Sequence, residues 1–514
     1  MAFSTLQFLL FFIFVIIIYY VLPFRHRWLF LTAAGFVFYS YLQLYHLAIL
    51  ITSSLIDYFL ALRLGGNAAR KKRKILLLLG LFNNLGLLVL FKYLHFFNES
   101  MGAILNRFHV HYSIAIPRLL LPLGLSYFTF KKISYLVDVY RGGQRAERHV
   151  GRFLLYVSFF PEIVAGPIDR AGKLIPQFLK KVEFDAGAVS EGLRLVLWGF
   201  FKKLVIADNL APVVSQVFSN PTRFDGIHLL VGVLSFTFQV YCDFSGYSDI
   251  AIGIGRVLGF KLMKNFDRPY HSTSIPQFWE RWHISFTTWL RDYLFLPIAY
   301  SVSGKIKQPK PMGIKAETWA YLCGMFTTML LCGLWHGAGW TFIIWGLMHG
   351  IYLAASFFTK KWRGRMRKRL LIKKNAPLYK AFRVLLTFSL VSLAWVFFRA
   401  QSTADAVYII THLFSGIPTF FQQVFMFIQN LNGKSLSHFL INRELGTTYF
   451  NLLMVCLSIL FMRRVQTMQK DKEEPTEVLA NSPILLRWAA YLGIVFWILF
   501  FGNFGVREFI YAQF

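Results

Sequence analysis

Apolar runs far longer than a strand needs, punctuated by short basic stretches, set the rhythm of this chain. A membrane span takes about 20 predominantly apolar residues as a helix, and several runs qualify. Residues 1–24 carry no charge and are followed by Arg25, His26 and Arg27. Because no basic n-region precedes the run, it is expected to be a retained first span and not a cleaved signal. Trp28 to Leu62 carries only Asp57 and is long enough for two spans with a tight turn. Ile75 to Phe91 predicts another crossing, with a short outer loop around Asn98 to Tyr112. A further hydrophobic segment, Leu121 to Gly142, ends in the basic turn Arg141 to Arg152.

The middle of the chain is more broken. FFPEIVAGPIDR (Phe159 to Arg170) is too short to span and is interrupted by Pro161, Gly166 and Pro167. It is expected to be re-entrant or cavity-lining, since irregular backbone survives at membrane depth only where protein or water satisfies it. LRLVLWGFFKKLVIADN (Leu193 to Asn209) has the pattern of an amphipathic helix at the interface. Ile227 to Gly246 predicts a span ending in YCDFSGYSDIAIG (Tyr241 to Gly253), where Asp243 and Asp249 are either buried acid or helix caps near a turn. Thr318 to Thr359 runs forty-two residues without Asp, Glu, Lys or Arg, enough for two spans. Val384 to Phe398, Leu445 to Met462 and Trp488 to Val506 predict three more. Residues 402–444 are mixed polar and aromatic, expected as outer-surface helices and loops, and Gln466 to Pro483 is expected to be a polar linker. No internal repeat is evident, which counts against the commonest transporter designs.

Composition fixes the class that this pattern suggests. With 56% hydrophobic, 18% aromatic and 15% charged residues, the chain is expected to be an all-α polytopic membrane protein. The net charge of +31 resides in clusters between the apolar runs, among them Arg70 to Lys74 and Lys360 to Lys374, the latter with nine Lys or Arg and no acid. That placement is the positive-inside signature, suited to anionic membrane lipids, and not a nucleic-acid footprint. It places Arg70 to Lys74, Lys360 to Lys374 and Arg463 to Lys472 in the cytosol and both termini outside. Cys242, Cys323, Cys332 and Cys456 form no CxxC pair, so neither disulfides nor a metal site is indicated.

Candidate chemistry gathers between Phe278 and Tyr352. His336 sits inside the uncharged block, flanked by Gly333, Gly337 and Gly339, where the backbone can bend between two spans. An ionisable group at such a break is a functional candidate, the alternative being a histidine hydrogen-bonded between helices. In FWERWHISFTTWLRDYLF, His283, Thr287 and Arg291 fall at i, i+4 and i+8, which predicts one helical face. Trp279, Trp282, Phe286 and Trp289 surround them, with Glu280, Arg281 and Asp292 within a turn. Mixed charges among aromatics predict a polar cavity; an interfacial helix with headgroup-level tryptophans is the alternative.

LPLGLSYFTF, FFPEIVAGPIDR, YCDFSGYSDIAIGIGRVLGF, NFDRPYHSTSIPQFWERWHISFTTWLRDYLFLPI and GLWHGAGWTFIIWGLMHG, in this order, resemble the signature blocks of membrane-bound O-acyltransferases. The likeness is greatest to the bacterial branch that modifies cell-envelope polymers, by alginate O-acetylation, peptidoglycan O-acetylation or D-alanyl transfer to teichoic acid. It covers roughly residues 115–360 and returns at the C-terminal FIYAQF. The resemblance implies one domain over residues 1–514, of about 11 to 14 membrane or re-entrant helices around a central tunnel. Residues 115–360 would be its catalytic core and 376–514 a C-terminal extension of the kind carried by the O-acetyltransferases. It implies that His336 is the principal catalytic residue and His283 its polar partner. The acyl group, acetyl above all, would come from a cytosolic thioester such as acetyl-CoA, with no bound cofactor. It would leave on the outer face of the bacterial cytoplasmic (inner) membrane through a partner of serine-hydrolase (SGNH-hydrolase-like) fold.

The residues suit such a transfer. Taking a hydroxyl proton needs a base that titrates near neutrality, which a histidine supplies without a metal. An oxyanion donor is also needed, and His283 or an indole N–H of Trp282 or Trp335 are the candidates. Arg281, Arg291, Asp292 and Asp243 are expected to support the tunnel, whereas His349, one span further on, reads as a packing residue. Tyr511, in REFIYAQF, resembles the C-terminal tyrosine of envelope-acylating systems and would act as a covalent acyl relay, although an interfacial aromatic anchor fits the same position. Two other outcomes stay open: D-alanyl transfer to teichoic acid, and a proton-coupled transporter using His336, Asp243 and Glu280.

Overall fold

In hydrocarbon only a helix or a closed barrel satisfies every backbone polar group, and uninterrupted apolar runs in this chain take the first course. The computed structural model describes residues 1–514 except 2, 42, 67–68, 111, 113, 115–119, 121, 307, 309–312, 374, 417, 419–421, 423–424, 427–428, 430–444, 470–476, 479–481, 506–508 and 510–514. Among the described residues there is no strand. The chain forms α1 (Leu6–Val21), α2 (Phe24–Ser40), α3 (Leu44–Leu64), α4 (Arg70–Leu88), α5 (Leu94–Arg107), α6 (Leu125–Arg141), α7 (Val150–Ser158) and α8 (Ala171–Phe178). It continues through α9 (Ala186–Phe200), α10 (Asp208–Ser219), α11 (Gly226–Val257), α12 (Ile275–Arg281), α13 (Ile284–Leu290) and α14 (Leu296–Lys305). The last helices are α15 (Ala316–His336), α16 (Trp340–Phe358), α17 (Lys360–Arg369), α18 (Pro377–Arg399), α19 (Thr403–His412), α20 (Tyr449–Met468) and α21 (Ile484–Phe501). Among the described residues, eight helices are long and apolar enough to cross a membrane: α3, the continuous Arg70–Arg107 helix, α11, α15, α16, α18, α20 and α21. This is an all-α, multi-pass membrane protein.

Two compact units emerge. The first comprises Met1–Val196 and Ile250–Lys264, the second Leu197–Asp249 and Asn265–Ile510. In the first, adjacent lysines on α6 are buried, each against a carboxylate. Lys132 Nζ lies 3.2 Å from Asp57 Oδ2 and donates to Ser53 Oγ at 2.8 Å. Asn83 and Asn84 donate to the same carboxylate at 3.1 and 2.7 Å, tying α3, α4 and α6 together. Lys131 pairs with Glu162 and donates to the Tyr156 carbonyl at 2.9 Å. Glu162 belongs to the 159–170 segment, a buried run of turns without a helix, in keeping with the irregular backbone expected there.

Three sequence expectations are corrected. The loop expected around Asn98 to Tyr112 is helical as far as Arg107, because α4 passes through a π-helical turn, Val89–Tyr93, straight into α5. The expected interfacial helix at 193–209 instead joins α9 to a wholly buried π-helical stretch, Phe201–Ala207. Lys202 and Lys203 there are buried because carboxylates on α10 and α11 neutralise them. Finally, the helix expected through this stretch breaks at Trp282 and His283: His283 is the buried, left-handed cap of α13, whereas Arg291, where α13 passes into a π-helical turn, is exposed.

Candidate active site

The break between α12 and α13 builds the first half of the site, within the second unit. His283 caps α13 in a left-handed conformation, φ 43°, which a non-glycine residue adopts only when its surroundings hold it there. Asn265, eighteen residues upstream and fully buried, does the holding. Its carbonyl accepts from Ile284 N at 2.8 Å, and its side-chain oxygen accepts from Ser285 N at 3.3 Å and Ser285 Oγ at 2.9 Å. That same oxygen lies 2.9 Å from His283 Nδ1. Since a backbone N–H can only donate, the Asn265 atom is the amide oxygen, and His283 must donate to it from Nδ1. The lone pair of the neutral ring therefore sits on Nε2. His283 lies outside the eight spanning helices, and burial pushes its pKa down to about 3, so it is neutral across the physiological range.

His336 supplies the second half. It is the last residue of α15 and is 5% exposed. The turn that follows is enforced by close packing. A side chain at Gly333 would strike the Phe342 carbonyl, one at Gly346 the Met329 carbonyl, and one at Gly337 the Phe342 ring. Only glycine permits α15 and α16 to approach this closely. Gly339, expected to share that role, has no comparably close neighbour. The His336 ring is enclosed by Trp335, Trp345, Phe398 and Phe286, at centroid distances of 4.9, 5.0, 5.2 and 5.8 Å.

Phe286 unites the halves. It lies 5.0 Å from His283 and 5.8 Å from His336, and Trp335 packs on it at 4.4 Å. Phe244 of α11 closes the other side of His283 at 4.6 Å, and Phe509 packs on Phe244 at 5.4 Å. Two histidines around one phenylalanine, in an aromatic wall, set imidazole nitrogens in surroundings of low polarity, where a dipole facing a polar substrate group is strengthened.

The other predicted residues distribute unevenly. Trp335 belongs to the shell. Trp282 packs between Phe266 and Trp395, at 5.1 Å from each. Asp243 lies within α11, not at a cap, and pairs with Lys203 at 2.6 Å, while Asp249 pairs with Lys202 at 2.7 Å. Arg281 is half-buried and gives its carbonyl to Asp267 N at 2.9 Å. Arg291 is exposed and pairs with its neighbour Asp292 at 2.9 Å. Tyr511 lies outside the described residues. Sequence reasoning missed Asn265, whose only signal is position within NFDRPYHS, and Phe398, which lies far along the chain in an ordinary apolar run.

Comparison with known proteins gives the family. Residues 144–398, which hold both histidines, Asn265 and Phe286, match the model of the membrane-bound O-acyltransferase family. The chain is 38% identical to the probable alginate O-acetylase AlgI of Azotobacter vinelandii over 406 residues, 78% of this chain and 76% of that protein. It is 34% identical to the peptidoglycan O-acetyltransferase of Helicobacter pylori over 440 residues, 80% of this chain and 75% of that one. Likeness to the teichoic acid D-alanyltransferase of Bacillus subtilis is 30% over 243 residues, 47% of this chain and 60% of its relative. The chain belongs to the membrane-bound O-acyltransferase family, as a multi-pass membrane enzyme that transfers an acyl group from a donor.

Proposed function

We propose that this enzyme moves an acetyl group from a cytosolic thioester, acetyl-CoA, toward a hydroxyl of an extracytoplasmic envelope polysaccharide. Acetyl is favoured over D-alanyl because the two O-acetylating relatives align over 78% and 80% of the chain and the D-alanyl relative over 47%. The observation that carries the reading is the convergence of His283 and His336 on Phe286 inside an aromatic shell.

The step balances on these residues. A hydroxyl oxygen attacks the thioester carbonyl carbon, and His336 takes its proton. The tetrahedral oxyanion collapses with cleavage of the C–S bond, and the imidazolium returns the proton to the departing thiolate. Such a base contributes about 10²- to 10⁴-fold. His283, held neutral with its proton on Nδ1, tunes the shell and accepts at Nε2; an indole of Trp335 or Trp282 is the candidate oxyanion donor. Tyr511 is assigned here the part of first acceptor. Its phenol would take the acyl group as an aryl ester, more reactive than an alkyl ester because the phenol pKa is about 10. A periplasmic hydrolase-fold partner would then pass that group to the polymer. Charge placement supports both termini outside and an inner-membrane location.

The test is direct. Purified enzyme incubated with acetyl-labelled acetyl-CoA is expected to release free thiol and to carry label on Tyr511, detected by peptide mass spectrometry. Tyr511→Phe is expected to fold and to lose polymer acetylation. Full polymer acetylation by that variant leaves the tyrosine as an interfacial anchor only, and no thiol release by the parent sinks the acyl-transfer scheme. For topology, labelling of a single cysteine at position 372 by an impermeant reagent from outside intact cells would overturn the orientation.

A further inference from the structure

His349 is the third histidine of the aromatic region, and the transfer step above gives it nothing to do. Its side chain is wholly buried in α16, and neither ring nitrogen hydrogen-bonds any group among the described residues. The indoles of Trp279 and Trp345 each lie 5.0 Å from its ring. Their N–H groups are likewise buried with no acceptor among the described residues. Phe278, stacked at 6.2 Å, and Tyr352, edge-on at 5.8 Å, complete the box.

The hydrogen-bond arithmetic of this box is lopsided. A neutral imidazole brings one donor and one acceptor, and each indole brings a donor only. Even if one indole turned to the imidazole nitrogen, two N–H groups would remain without an acceptor. Each buried donor left so costs about 1–3 kcal/mol. A box with surplus donors and apolar walls is complementary to a carbonyl oxygen on an otherwise apolar segment.

The position of the box says which carbonyl. Trp345, which also touches His336 at 5.0 Å, precedes His349 by four residues, and Tyr352 follows it by three, so all three share one face of α16. Beyond α16 comes α17, KKWRGRMRKR, with seven basic residues and no acid. His349 stands eleven residues before Lys360, about 16 Å along the helix. Trp345 beside His336 of α15, then the carbonyl-binding box at His349, then the cationic α17 thus follow in order along the chain. A linear donor with its thioester at His336, amides along its arm and phosphates at its far end has the same order of groups.

We propose that His349, together with the N–H groups of Trp279 and Trp345, binds an amide carbonyl in the pantetheine arm of the acyl-thioester donor. This rests on the reading of an acyl thioester as donor. The box makes His349 a specificity residue that holds the donor in register, while the bond-breaking stays at His336.

Kinetics with three donors test it: acetyl-CoA, acetylpantetheine, which keeps the amides but lacks the nucleotide, and ethyl thioacetate, which has no amide. His349→Leu is expected to raise KM for both amide-bearing donors by about tenfold more than for ethyl thioacetate, the equivalent of about 1.4 kcal/mol. His349→Gln, which keeps a donor and an acceptor, is expected to recover most of that loss. Trp279→Phe, which removes one N–H and keeps a ring, is expected to show the same selectivity at about threefold, and it carries the test alone should the leucine variant aggregate. Equal losses on all three donors, or no loss, overturn the proposal while leaving the acyl-transfer reading intact. A parent enzyme that cleaves none of the three overturns both.

Discussion

Two regions of this protein bury polar groups in apolar surroundings, and they do it in opposite ways. In the α3, α4 and α6 bundle of the first unit, each buried cation faces a buried carboxylate: Lys132 against Asp57, Lys131 against Glu162. In the histidine shell of the second unit, His283, His336 and His349 sit among phenylalanine and tryptophan rings, and His283 donates to a neutral amide, that of Asn265. Paired charges hold a fixed geometry and cannot titrate cheaply. An imidazole in an aromatic wall instead offers a lone pair and an N–H without a fixed counter-charge beside it. The first arrangement stabilises helices against one another; the second, on the proposed function, prepares a reaction.

The comparison breaks most visibly at the charge pair. Lys132→Met leaves Asp57 buried without its cation and is expected to destabilise the protein by about 3–5 kcal/mol, seen as lost yield of monodisperse protein and a lowered unfolding temperature. Adding Asp57→Leu should restore most of that stability, because the pair as a whole is close to neutral against an apolar isostere. Failure of the double variant to recover would mean that the network does more than balance charge.

A smaller effect is expected at Asn265. Asn265→Ala removes the acceptor that fixes the His283 ring and tautomer, and outer partners of this kind typically carry about 10- to 100-fold in activity. Thioester cleavage should fall by that factor in a protein that still purifies as folded. An unimpaired rate would show that the Nδ1 tautomer is irrelevant to the chemistry.

The pH dependence of stability sharpens the point. The His283 pKa is lowered by burial from the ordinary 6.5 to about 3, so below pH 6.5 the unfolded chain binds a proton that the native site refuses. Stability is therefore expected to fall as pH drops from 6.5 toward 3. His283→Gln should flatten that slope in thermal unfolding followed by tryptophan fluorescence; an unchanged slope would assign the acid sensitivity elsewhere. Least affected should be Arg291→Ala. Its side chain is 60% exposed and pairs with its sequence neighbour Asp292, so the change in stability is expected within about 0.5 kcal/mol and the transfer rate within twofold of the parent.

The sequence was most legible where one segment decides its own fate. Thr318 to Thr359 carries no charge and folds as the α15–α16 hairpin, with His336 at its turn, because the glycines that let the two helices close on each other lie within the run itself. It was least legible where the deciding group lies elsewhere in the chain. Residues 278–295 have a fair helical pattern, yet the helix breaks at His283 because Asn265 takes the Ile284 and Ser285 amides. Lys202 and Lys203 look like a solvated face until Asp243 and Asp249, some forty residues on, are seen to neutralise them. Asp57 and Lys132 are each anomalous alone and explained only together.

The claim on which the rest depends is that His336 is the base of the transfer. Single-turnover thioester cleavage by His336→Ala, measured beside the parent under the same detergent and with the same labelled acetyl-CoA, tests it most directly. A folded, monodisperse variant whose rate falls at least about 10²-fold is the predicted result. A variant that is equally well folded and keeps more than a tenth of the parent rate would contradict it.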